Sequence, residues 1–325
     1  MIANASRALV IGIGGGGDIV GALAVARYAE ALGTPFVLGG ISWERTVVDS
    51  HAGPWTLDDV EGGRRLAPAA TLADAETRTP TGVRFGESLM ADHLGQQTVL
   101  IDPTPGPKVI AASIVIAAQE LECDLVLYVD VGGDVLAHGD ERGLGSPLCD
   151  AVLLAAACHA APDLSGAGAV IGPGCDGELT VAEVLDRLAV LAAAGAWLGS
   201  ASVGPTVAGE LERAAQAVPT EASLQVARCA RGEQGRTSIR GGRRSLELGP
   251  IGALMFFYDP EATVSHGAPL ARAVMDAQDL TAAHSTLTGM GIRTELDFER
   301  EKTGRERSER QSRAAQDQES DQNDH

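Results

Sequence analysis

The sequence predicts an α/β protein of three layers, with a doubly wound, mostly parallel sheet between two layers of helices, and three observations carry that prediction. Apolar runs of strand length alternate with longer helical runs through most of the chain. Aromatic residues are only 3% against 45% hydrophobic residues, so Ala, Val, Leu and Ile must fill the interior, as in a sheet covered on both faces. A glycine turn joins the first apolar run to the first helical one, which is how a β-α-β unit begins.

The elements follow in order. Ala8 to Ile11 is the first strand, Gly12 to Asp18 the turn, and Ile19 opens a helix that runs to about Gly33. Pro35 to Ile41 reads as a second buried strand. From Trp43 to Pro80 the pattern is irregular, with Gly53-Pro54, Gly62-Gly63 and Pro68, and only Thr71 to Ala75 hints at a strand. A loop of that length inside a compact domain is more often a functional flap than a connector. Gly86 to Leu94 is a short helix, Thr98 to Asp102 a strand, Pro103 to Pro107 a turn and Lys108 to Leu121 a helix. Asp124 to Asp130 is the clearest strand and ends in Val131-Gly132-Gly133-Asp134. Ser146-Pro147 reads as the N-cap and first position of a helix reaching about Ala160. Gly168 to Gly172 is a strand, Pro173 to Glu178 its exit loop, and Thr180 to about Gly195 a helix. Helices over Thr206 to Val218 and Thr220 to Arg231 precede a hairpin from Arg236 to Leu248 across Gly241-Gly242 and a strand from Ala253 to Phe257. A helix from Ala268 to about Thr288 and a strand from Ile292 to Phe298 complete one domain, residues 1–298. From Glu299 to His325 the composition is wholly polar, cannot offset its ordering entropy by burial, and reads as a disordered acidic, polar tail.

Charge narrows the function. A net charge of −19 argues against nucleic-acid backbone and against an anionic membrane surface, both of which call for clustered Lys and Arg. Lys108 and Lys302 are the only lysines. An acidic, Ala- and Gly-rich chain nearly free of lysine fits the high-salt cytoplasm of a halophilic archaeon, with a GC-rich genome as the alternative source of the same bias. No apolar run approaches the roughly 20 residues of a membrane helix, and no signal segment precedes the first strand, so a cytoplasmic location is expected. The cysteines at 123, 149, 158, 175 and 229 form neither a paired framework nor a C-x-x-C spacing, so a zinc site is disfavoured. Cys175 lies in a glycine-rich exit loop, where a thiol can be activated.

In an open α/β sheet ligands bind beyond the carboxyl ends of the strands, and the loops expected there are rich in glycine and carboxylate. Gly12, Gly14 and Gly17 satisfy G-x-G-x-x-G, the dinucleotide fingerprint of Rossmann-like folds, with Gly15 and Gly16 between them. Asp18 directly after the fingerprint would repel a bare pyrophosphate unless a cation lies between. Asp130 and Asp134 bracket Gly132 and Gly133, so both carboxylates can point into one space, suited to Mg²⁺ with Asp18 as a third oxygen donor. Lys108 at a helix start and Ser146 are expected as further phosphate ligands, and His138 or Glu178 as the group that moves a proton. These residues describe an enzyme acting on a small phosphorylated or nucleotide-like metabolite with Mg²⁺. An NAD(P)-dependent oxidoreductase is the alternative, weakened because no acid closes the second strand and Glu44 comes late. A non-catalytic ligand-binding or assembly subunit, including a homo-oligomer, is the alternative from another class.

The strings Ile11 to Val20, Asp130-Val131-Gly132-Gly133-Asp134-Val135-Leu136, and Gly139-Asp140-Glu141 through Ser146-Pro147-Leu148-Cys149-Asp150 together resemble the largely archaeal proteins grouped as domain of unknown function 1152. The resemblance extends to about residue 298. It implies a shared globular domain and supports the fold and the site, and it implies no reaction.

Overall fold

The computed structural model describes residues 1–305. Nine strands form one sheet in the order β3-β4-β5-β2-β1-β6-β7-β11-β8. They are β1 (Ala8–Gly12), β2 (Phe36–Ile41), β3 (Arg64–Ala67), β4 (Ala70–Ala73), β5 (Thr98–Ile101), β6 (Leu125–Val131), β7 (Ser165–Ile171), β8 (Trp197–Ser202) and β11 (Leu254–Tyr258). The five central strands β5-β2-β1-β6-β7 are parallel, and antiparallel pairs extend the sheet at both edges. A separate hairpin, β9 (Gly235–Ile239) with β10 (Arg244–Leu248), stands off the sheet.

Strand periodicity sorts the core into two layers. In β1, Leu9 and Ile11 join a cluster with Val126, Tyr128 and the helices α3 (Pro107–Glu120), α4 (Pro147–Ala160) and α5 (Val181–Ala193). Ala8 and Val10 face the other way, into a cluster with α1 (Asp18–Ala31), α6 (Pro205–Ala217) and α7 (Ala222–Ala230). Helix α2 (Gly86–Leu94) sends Met90 into that second cluster. The result is the three-layer, mostly parallel arrangement that the sequence predicts. Among the described residues no helix is long and apolar enough to cross a membrane.

The differences lie at the edges and the C-terminus. The segment 43–80 contains the β3–β4 hairpin that lengthens the sheet, so part of the expected loop is strand. The edge strand β8 is mostly exposed, with no alternating pattern to announce it. The single helix expected from Ala268 to Thr288 is replaced by two short helices, α9 (Pro269–Val274) and α10 (Leu280–Gly289), preceded by α8 (Pro260–His266). Pro269 restarts the chain, and Asp279 caps α10 by accepting from Ala282 N–H at 2.7 Å. The strand expected over Ile292 to Phe298 is absent. Thr294 N–H and Oγ1 both donate to Asp297, at 2.9 and 3.3 Å, and start a helix at residues 295–305, α11. The tail expected from Glu299 therefore begins as helix, with Glu299 only 6% exposed; its remainder, 306–325, lies outside the described residues.

Candidate functional site

Strand order reverses between β1 and β6: β1 leads through α1 to β2 on one side, while β6 leads through α4 to β7 on the other. That reversal opens a crevice at the carboxyl ends of the strands. Three loops converge there, Ile13 to Gly17 after β1, Gly132 to Asp134 after β6, and Gly172 to Glu178 after β7. A cavity of about 140 Å³ lies among them, closed by Glu44 and Arg45 beyond β2, by the start of α7, and by Arg240 from the β9–β10 hairpin.

Six carboxylates gather in two groups of three. Asp18, Asp130 and Asp150 form one and Asp134, Asp176 and Glu178 the other; in each, one oxygen per residue lies within 4.8 Å of the others. Five are buried, and Asp18 at the start of α1 is partly exposed. Both oxygens of Asp130, both of Asp176 and one of Asp150 are buried without a hydrogen-bond partner. The Asp134 side chain and the amides of Val135 and Gly133 face Asp130, and the Glu178 amide faces Asp176, without reaching hydrogen-bond geometry. Such groups ordinarily find partners, so five unpartnered carboxylate oxygens in one crevice are exceptional. Burial, reinforced by the Asp130 charge, raises Asp18 to about 8. Burial raises Asp130 to about 7 and holds Asp134, Asp150 and Asp176 well above the ordinary carboxylate range, with the neighbouring acids adding to it.

Glu178 differs. Its Oε2 accepts from Gly145 N–H at 2.6 Å and Ser146 N–H at 2.8 Å, while Oε1 accepts from Arg244 at 2.7 Å and from the Ser146 hydroxyl. Burial works against its charge, but Arg244 and these donors hold its pKa below the usual value. It clamps the loop before α4 to the β7 exit loop.

Glycine permits the convergence. Gly132 has φ +125°, and a Cβ there would stand 2.2 Å from the Asp176 carboxyl, so the β6 exit loop lies directly against the acid of the β7 exit loop. At Gly12 a Cβ would come within 2.7 Å of the Asp18 carbonyl carbon, which lets α1 start immediately above β1.

Three arginines answer the acids. Arg45 donates to the Gly14 carbonyl, lies 5.0 Å from the Trp43 ring, and has Glu299 of α11 at 3.8 Å. Burial opposes its charge, but Glu295, Glu299 and Asp18 push its pKa above the ordinary arginine value. Arg240, with φ +56°, reaches the cavity wall from the hairpin turn. Burial and the charges of Arg244 and Arg45 lower its pKa. Glu44 lines the same cavity; burial raises it to about 7 although its Oε1 accepts from Gly86 N–H at 2.6 Å.

The residues expected from the sequence are thus divided. Gly14, Gly15, Gly16, Gly17, Asp18, Asp134, Ser146 and Glu178 line the cavity, and Asp130 belongs to the first carboxylate group. Gly12, Gly132 and Gly133 support it from behind. Two loop amides have partners within the protein, Gly14 N–H to Asp18 at 3.2 Å and Gly16 N–H to the Trp43 carbonyl at 2.9 Å, so an anion has fewer donors than the fingerprint implies. Ser146 stands at the N-cap position of α4 but turns its hydroxyl to Glu178, and Glu295 of α11 instead accepts from Leu148 and Cys149 N–H at 3.0 and 2.9 Å. Lys108 lies outside the cavity, paired with Asp276 at 2.7 Å on the exposed surface. His138 also lies outside, its Nε2 3.3 Å from the Gly267 carbonyl. Glu178 is thus engaged by Gly145, Ser146 and Arg244, and His138 does not reach the cavity. Sequence reasoning missed Glu44, Arg45, Asp150, Asp176, Arg240 and Arg244. Asp150 and Asp176 lie within strings already singled out, whereas the arginines carry no local signal.

A family model described as a protein of unknown function (DUF1152) matches residues 9–303. No curated protein and no solved structure matches the chain.

Proposed function

Because this chain belongs to the DUF1152 family over nearly all of its described length, a shared domain without an assigned reaction, we propose a reaction class from the site itself: an enzyme acting on a small phosphorylated metabolite, with a hard divalent cation such as Mg²⁺ held by the carboxylates. The observation that carries this reading is the set of buried, unpartnered oxygens on Asp130, Asp150 and Asp176. A bound cation would give those oxygens the partners that the protein withholds, and an all-oxygen donor set suits Mg²⁺ or Mn²⁺ better than zinc.

Scale supports a phosphate-sized occupant. The cavity of about 140 Å³ is well below the ~300–1,000 Å³ of a site that encloses a whole ligand, so it suits ions and one phosphoryl group. A dinucleotide would lie mostly outside, which weakens the oxidoreductase alternative. Arg240 and Arg45, with the N-terminus of α1, offer positive charge to an anion. Glu44, at about 7, is poised to take or give a proton near neutrality. When bound, the cation would supply neutralisation of charge on the phosphoryl oxygens.

The test is Mn²⁺ binding by electron paramagnetic resonance and calorimetry, followed by a phosphate-release screen over nucleotides and sugar phosphates. The expected result is saturable Mn²⁺ binding, at least tenfold weaker in Asp130→Asn and Asp176→Asn, together with Mn²⁺-dependent turnover lost in both variants. Failure of the wild-type chain to bind Mg²⁺, Mn²⁺ or Ca²⁺ at millimolar concentration overturns the cation. Binding without turnover of any phosphorylated compound favours the non-catalytic alternative.

A further inference from the structure

Cys175 and Cys229 stand apart from the other cysteines because their sulfurs crowd one point. Cys175 lies in the β7 exit loop and Cys229 near the end of α7, both buried, at 2% and 4% exposure. A Cβ added to Gly252 would meet Cys229 Sγ at 2.6 Å and Cys175 Sγ at 3.0 Å, so glycine leaves the room that the pair occupies. Cys175 Sγ also reaches the Gly252 carbonyl at 3.7 Å. Gly252 itself lines a second, larger cavity of about 1150 Å³, together with Gly174, Gly249 and Ile251. That space admits a reagent as large as a tripeptide thiol to the wall behind which the sulfurs lie.

We propose that Cys175 and Cys229 are a redox-active dithiol that closes reversibly to an intramolecular disulfide when a peroxide or a small-molecule disulfide enters this second cavity. With hydrogen peroxide, the Cys229 sulfur attacks one oxygen and the O–O bond breaks. The departing hydroxide takes the thiol proton and leaves as water, and Cys229 becomes a sulfenic acid. The Cys175 sulfur then attacks the Cys229 sulfur, the S–O bond breaks, and a second water leaves with the Cys175 proton. Two thiols lose two electrons and the peroxide gains them. With a small-molecule disulfide, the Cys229 sulfur attacks one sulfur, the reagent S–S bond breaks and one thiol leaves with the Cys229 proton; the Cys175 sulfur then attacks the Cys229 sulfur, the mixed S–S bond breaks and a second thiol leaves with the Cys175 proton. Cys229 is the attacking thiol: of the two sulfurs it lies nearer a Cβ built on Gly252, at 2.6 Å against 3.0 Å for Cys175, and its closeness to Cys175 lowers its pKa to about 7. The bond would tie together two walls of the first cavity: Cys175 immediately precedes Asp176, and α7 begins at Ala222, beside Thr220 and Glu221 in the lining.

The test treats the reduced, full-length chain with hydrogen peroxide or oxidised glutathione, blocks remaining thiols with an alkylating agent, and maps the cysteines by peptide mass spectrometry. The expected product is one cross-linked peptide joining Cys175 to Cys229, about 2 Da lighter than the two thiol peptides, restored by dithiothreitol, with Cys123, Cys149 and Cys158 still alkylated. In Cys175→Ser the cross-link is lost and dimedone traps the Cys229 sulfenic acid. Full alkylation of both residues after oxidant treatment overturns the proposal, as does a disulfide formed by any other pair.

Discussion

At the residue scale the site is governed by what burial does to charge. Burial raises Asp18 to about 8 and Asp130 and Glu44 to about 7, whereas in an unfolded chain such groups ionise near pH ~4. The folded state therefore keeps protons that the unfolded chain has released, and stability falls as pH rises from about 4 to about 8. Groups whose pKa is lowered, Glu178 and Glu141 among them, act in the opposite sense only below that window. In EDTA the melting temperature at pH 8 should be several degrees below that at pH 5.5 (about 3 °C or more), and saturating Mg²⁺ should remove most of the gap; calorimetric scans at both pH values check it. A melting temperature that rises with pH in EDTA would show that these carboxyls are ionised in the folded chain. Gly132→Ala is expected to cost about 3 kcal/mol or more, since it combines a left-handed φ with a contact of 2.2 Å to Asp176. Urea denaturation measures that loss. Arg244→Ala leaves Glu178 buried with one cation fewer; with Arg244 itself 23% exposed, the loss should be about 2 kcal/mol in the same assay, and smaller in Glu178→Gln/Arg244→Ala than the sum of the two single changes.

At the scale of elements, two late pieces of the chain complete a site that the first half outlines. The β9–β10 hairpin adds Arg240 and Arg244 to a crevice whose carboxylates otherwise face Arg45. Helix α11 brings Glu295 to the N-terminus of α4 and Glu299 to Trp43 Nε1 and Gly53 N–H, at 3.0 and 2.8 Å. Removal of residues 295–325 would uncap α4, leave the buried Trp43 indole without its acceptor and remove Glu295 and Glu299, two of the acids that act on Arg45. The expected outcome is a loss of at least about 3 kcal/mol, read by urea denaturation beside Glu299→Gln, which keeps the helix and should lose about 1–2 kcal/mol. Equal stability of the truncated and full chains would show that α11 does not hold the site. Neither element could be placed from local pattern. The hairpin was legible as a hairpin, but nothing in Arg236 to Leu248 says which surface it covers. The segment Ile292 to Phe298 has apolar residues at strand-like spacing, and only the Thr294–Asp297 pair marks it as a helix start.

At the scale of the molecule, the dominant feature is the net charge of −19. Self-repulsion of that size is relieved by screening, so KCl raised from about 0.1 to about 2 M should raise the melting temperature by several degrees even in Asp130→Asn, which removes one carboxylate of the proposed cation site. A chain indifferent to KCl but stabilised by millimolar Mg²⁺ would place the repulsion in the crevice alone. The sequence by itself determined the layered α/β architecture and the crevice, because strand periodicity, the glycine turn and the Gly132-Gly133 pair act through neighbours in the chain. Asp18, Asp130 and Asp134 were legible for that reason. The tertiary structure decided the rest: that Asp150 and Asp176 join them, that Lys108 and His138 do not, and that Glu44, Arg45 and Arg240 do. Those outcomes depend on which strand ends meet and which late segments cover them, and burial shifts a carboxyl pKa only once distant parts of the chain have excluded water from around it.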